Sequence, residues 1–180
     1  MAALAFRVAT TEDVDALVSL INRAYRPDSE HAGWTHEADI VSGNRVNAEQ
    51  VIQVTHKDHS ALLVAVINHQ LCACVQVEKL DTMSSSIGML AVDPIFQGTG
   101  TGKAVLKYAE QYAITTFHSQ RFIMYVVSLR RELIEFYLRR GYQRTGEIMD
   151  YPTDAQVGIP KFNEMTIEVL EKVIRVESYS

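Results

Sequence analysis

Two apolar runs, SALLVAVI (60–67) and LCACVQVEKL (71–80), are separated only by Asn68, His69 and Gln70. A link this short cannot cross a sheet, so the runs must fold back on each other as an antiparallel hairpin. DTMSSS (81–86) reads as a second turn and IGMLAVD (87–93) as a third strand. A helical pattern from Thr101 to about His118 then leads to another strand, RFIMYVV (121–127). Val105, Tyr108, Ala109, Tyr112 and Ala113 lie along one side of that helix, with Lys103, Lys107, Glu110 and Gln111 on the other. Antiparallel strands followed by a β-α-β crossover require a mixed sheet.

The flanking segments extend this frame. LAFRVAT (4–10) reads as a first strand, and TTEDVDALVSLINRAY (10–25) as a helix burying Val14, Leu17, Val18, Ile21 and Tyr25. Pro27 stops it. WTHEADIVSG (34–43) and NAEQVIQVTHK (47–57) each read as a short helix, broken at Ser42-Gly43-Asn44. RRELIEFYLRR (130–140) is helical and ends at Gly141, while YQRTGEIM (142–149) and NEMTIEVL (163–170) read as closing strands. The expected fold class is α/β in the mixed, α+β sense: a mostly antiparallel twisted sheet of about six to seven strands with helices on both faces. The whole chain, 1–180, reads as a single domain without repeats or linkers.

Composition narrows the function classes. With 47% hydrophobic and 22% charged residues the chain has the balance of a soluble globular protein. Its net charge of −5 argues against general nucleic-acid binding. No apolar run approaches a membrane span and the N-terminus turns acidic early, so a cytoplasmic, non-membrane protein is expected. Cys72 and Cys74 sit two apart on a strand, where period two would point both to one face as buried small side chains. The histidines are scattered, His56 and His59 included, and no metal site is expected.

Between the third strand and the long helix stands QGTGTGK (97–103), with glycines at 98, 100 and 102. A strand that turns through glycines into a helix directs several unpaired N–H groups at one spot, a natural seat for a phosphate or pyrophosphate. The Walker pattern fails here, because Gln97 stands where its first glycine belongs and Ala104 follows Lys103. The dinucleotide fingerprint fails as well, because Lys103 or Val105 occupies its last glycine position.

The loop does resemble the coenzyme A loop of the GNAT superfamily of N-acetyltransferases, Q/R-x-x-G-x-G/A, preceded here by Val92-Asp93-Pro94. The resemblance continues in Phe136-Tyr137-Leu138-Arg139-Arg140-Gly141-Tyr142, which matches F-Y-x-x-x-G-F/Y, and in the element order over residues 4 to 170. It implies acetyl-CoA as cosubstrate, no metal, and an amine acceptor on a small molecule, amino acid or peptide. Gln97, Gly98, Thr99, Gly100, Thr101, Gly102 and Lys103 would hold the pyrophosphate, and Leu90, Ala91 and Val92 would face the pantetheine and polarise the thioester. Tyr137 matches the tyrosine that protonates the leaving sulfur, with packing like that of Phe136 as the plainer role.

The chain also departs from the family. Arg130 stands where many members carry an asparagine against the pantetheine; it would reach phosphate or face water. The third strand lacks the carboxylate some members use as base, leaving Glu78, Glu132 or a water chain. The fold implies an acceptor pocket around residues 25 to 45, where Tyr25, Glu30, Trp34 and Glu37 would suit a cationic amine, with His31 and His36 nearby. The C-terminal strands are the candidate surface for a homodimer. A non-catalytic coenzyme A sensor on the same fold is the alternative, and a nucleotide-phosphate binder a third.

Overall fold

A computed structural model describes residues 3–28, 30, 32–33 and 35–175. Strand β1 (Ala5–Val8) leads through a 3-10 turn at Thr11–Asp13 into α1 (Val14–Tyr25). β2 (Val41–Ser42) and α2 (Ala48–His56) precede the meander β3 (Ser60–Ile67), β4 (Gln70–Lys79) and β5 (Ser84–Val92). Then come α3 (Thr101–Phe117), β6 (Arg121–Val127), α4 (Arg131–Leu138), β7 (Gln143–Asp150), β8 (Ile159–Pro160) and β9 (Thr166–Val173). The main sheet has seven strands in the order β1-β3-β4-β5-β6-β9-β7, and β5–β6 is its parallel pair.

The sheet is covered on both faces. One face, with Leu63, Ala73, Val75 and Ile87, packs on α3 and α4 through Val105, Leu106, Ala109 and Ile134. The other, with Leu62, Val64, Cys74 and Ala91, packs on α1 and α2 through Leu17, Leu20, Ile21 and Val51. Each buried valine, leucine or isoleucine among them contributes about 1.5–3 kcal/mol. The helix starts follow the sequence. Asn47 caps α2 by accepting from the Gln50 amide at 2.9 Å, while the Gln50 side chain accepts from the Asn47 amide.

Three expectations change. Of the stretch read as a helix over 34–43, the described residues 35–43 do not form one: Ile40 and Val41 donate back to the Glu37 carbonyl for one turn, and the chain then enters β2, which pairs with β8. Gly43 at φ +81° and the short pairing partner 159–160 outcompete a weak helical pattern. β5 begins at Ser84, three residues earlier than its apolar run, because the strand's polar start pairs with both β4 and β6. Cys72 and Cys74 face opposite sides of the sheet, one in each core. The register shifts where Ala65 pairs Ala73 and Val66 pairs Leu71, so Cys72 is an inserted residue and strict alternation is lost.

A second bulge positions the site. Cys74 pairs with Ala91 and Gln76 with Gly88, leaving Met89 and Leu90 opposite the single residue Val75. Met89 adopts φ +49° there. β5 pairs with β6 only over Ser84–Ser86, after which the two strands separate. From Ile87 to Val92 the β6-facing edge of β5 therefore has no strand partner among the described residues.

Candidate active site

The gap between β5 and β6 opens into two adjoining cavities, of about 330 Å³ and 380 Å³. The first is lined by the glycine loop, the end of β5 and one side of α4. The second lies between β5, β6, the end of β7 and the segment after α1. Tyr25, Leu90, Arg130 and Leu133 line both and mark their junction. α4 serves both chambers through its pitch. Leu133 and Tyr137 are four residues apart and share a face, while Phe136 and Arg140, also four apart, turn to the first cavity.

The loop geometry accounts for alternate glycines. Gly98 and Gly100 take φ +76° and +85°, a region that costs a side chain and not glycine. Gly100 is the N-cap of α3 and offers no side-chain cap, so the first amides of the helix, from Thr101 to Lys103, keep their donors for a ligand. Thr99 does not line the cavity: its hydroxyl donates to the Phe96 carbonyl and meets the Thr101 hydroxyl at 2.9 Å. Thr101 is buried beneath the loop. Gln97 braces the turn by donating to the Val92 carbonyl at 3.1 Å, and Gly33 lies against it so closely that a Cβ would sit 2.0 Å from its Oε1. Asp93 is structural: it accepts from the Ile95 amide at 3.2 Å and pairs with Arg23.

Lys103, Arg139 and Arg140 add positive charge to the first cavity. Neither arginine stands out in the sequence, although Arg140 follows Phe136 by four residues. Arg140 Nη1 donates to the Phe136 carbonyl at 2.8 Å and its guanidinium stacks 3.6 Å from the Phe136 ring centroid; burial lowers its pKa. An uncapped helix start, a cradle of positive-φ glycines and three cations fit the pyrophosphate and phosphate of coenzyme A.

Arg130 is buried and does not face water. Its Nη2 donates to the Thr35 hydroxyl at 2.7 Å, its Nη1 lies 3.8 Å from Glu37, and its guanidinium stands 5.5 Å from the Tyr25 ring centroid. Glu37 lines the second cavity while pairing with Arg26. Tyr137 lines the second cavity, and no described residue accepts a hydrogen bond from its phenol. Burial, the dominant cause, raises its pKa well above the ordinary phenol value, so it holds its proton at neutral pH. Tyr142, by contrast, donates to Glu110 at 2.9 Å in a packed network with Lys172.

The remaining candidates separate. Glu30 lines a different groove, beside Arg23 and Asp93. Trp34 and His31 lie outside the described residues. Glu78 pairs with Lys57 at 2.6 Å, and Glu132 is exposed near Arg130 and Thr35; neither lines either cavity. Arg45, the last residue of the 25–45 stretch, lines the second cavity, and Asp150 reaches it from the end of β7 without a sequence signal.

A family model described as an acetyltransferase (GNAT) domain matches residues 58–144. No curated protein sequence matches the chain. Among solved structures, Ard1 from Thermoplasma volcanium is similar at TM-score 0.73 and 12% identity, over 97% of this chain and 99% of that one. The ribosomal-protein-S18-alanine N-acetyltransferase from Escherichia coli is similar at 0.70 and 14%, over 99% and 98%. A variant of the spermidine N-acetyltransferase SpeG from Vibrio cholerae is similar at 0.69 and 13%, over 94% and 93%. At such identities these likenesses speak for the fold alone.

Proposed function

Through residues 58–144 the chain belongs to the GNAT acetyltransferases, a family of acyltransferase enzymes, and from that premise we propose that it transfers acetyl from acetyl-CoA to a primary amine in a ternary complex. The observation that carries this reading is the junction of the two cavities at Leu90 and Leu133, which joins the chamber lined by the glycine loop to a second chamber.

The cosubstrate supplies an activated thioester. The Thr101–Lys103 amides with Lys103, Arg139 and Arg140 hold its phosphates, and the free edge of β5 from Leu90 to Val92 holds the arm and polarises the carbonyl. The walls bring amine and thioester together in register, which by itself removes much of the barrier. As the new N–C bond forms and the C–S bond breaks, the amine gives up a proton and the sulfur takes one. Tyr137 donates at the sulfur from a phenol that burial keeps protonated, and a water chain takes the amine's proton and returns one to the phenol.

Thermal stabilisation by acetyl-CoA, coenzyme A, ATP and NAD, compared side by side, tests the first chamber. Stabilisation by ATP and not by coenzyme A ends this reading. Thiol release with a panel of amines then separates an enzyme from a non-catalytic coenzyme A sensor.

A further inference from the structure

Resting on the acetyltransfer reading, we infer that the acceptor is a zwitterion, an amine that carries its own carboxylate, held between Arg45 and Asp150 in the second cavity. Four charged side chains line that cavity: Glu37, Arg45, Arg130 and Asp150. Glu37 is taken up by Arg26 at 2.5 Å and Arg130 at 3.8 Å, and Arg130 is tied further to Thr35. That leaves one cation, Arg45, and one carboxylate, Asp150, with no ion-pair partner among the described residues.

Arg45 is held in place for this task. Its backbone amide donates to Asn22 Oδ1 at 2.8 Å, and its guanidinium stands 5.3 Å from the Tyr25 ring centroid, on the ring that also marks the cavity junction. A half-buried guanidinium with a free fork takes a carboxylate through paired hydrogen bonds. Asp150, at the end of β7, meets the ammonium and accepts its proton when the amine becomes the nucleophile. A polyamine brings only cations and is repelled by Arg45.

The test is calorimetric titration of the full chain, with and without coenzyme A, against matched pairs: each common α-amino acid and simple dipeptide, and the amine left when its carboxylate is removed. Binding of at least one carboxylate member about tenfold tighter than its partner is expected, with the ratio falling to about two or less in Arg45→Gln and partly kept in Arg45→Lys. Asp150→Asn should weaken both members of a pair alike. Equal binding of every pair, tighter binding of the bare amines, or an unchanged ratio in Arg45→Gln overturns the proposal. If coenzyme A itself does not bind, the acetyltransfer reading falls, and the titrations without it still decide this one.

Discussion

Glu37 and Arg26 are buried against each other, Oε1 to Nη2 at 2.5 Å, with 4% and 7% of their side chains exposed. Arg26 also donates to the carbonyls of Gly43 and Val157, each at 2.8 Å, so the pair ties the end of α1 to two loops beside the second cavity. Removing the carboxylate leaves two buried guanidiniums, Arg26 and Arg130, without their shared anion. Glu37→Ala is therefore expected to lower stability by about 3–5 kcal/mol. Urea unfolding measures it, and a loss near zero would show that water reaches this pair.

Gly100 begins α3 in a left-handed conformation where a Cβ is strained. Gly100→Ala imposes about 1–3 kcal/mol of backbone strain or tilts the first helical amides away from their anion. Either way, calorimetry should find coenzyme A bound about tenfold or more weakly, with the melting temperature of the free protein shifted by only a few degrees. Unaltered affinity would place the phosphates elsewhere.

Tyr137→Phe removes a hydroxyl that has no other partner among the described residues. Turnover is expected to drop roughly ten- to a thousand-fold with acetyl-CoA affinity unchanged. If single-turnover rates, with chemistry limiting, match the parent, the ring is there for packing alone.

Burial lifts the Cys74 thiol to about 12. The unfolded thiol titrates near 8.5, so the folded state keeps a proton that the unfolded chain releases. This contribution to stability is whole below about pH 8.5 and is lost as pH rises toward 12. Denaturant midpoints should fall across that window, less steeply in Cys74→Ala. At pH 8.5 alkylation should spare Cys74 in the native protein and label it once unfolded; rapid native labelling would mean the core opens there.

The parts of this protein that the sequence determined by itself are those governed by neighbours along the chain. Hairpin β3–β4 follows from a link too short to cross, the capping of α2 from Asn47 and Gln50, and the uncapped start of α3 from glycines at 98 and 100 placed directly before it. Tertiary structure decided what depends on distant partners. Which way Cys72 faces turns on a bulge against β3, and the loop after α1 becomes β2 only because 159–160 comes alongside. The charges behave likewise. Glu37 reads as a free carboxylate until Arg26 and Arg130 close on it, and Arg45 is only the end of the 25–45 stretch until the fold sets its guanidinium over the Tyr25 ring at the cavity wall. Backbone preference is local and survives in a string of letters; desolvation and ion pairing are set by what folds in from far along the chain.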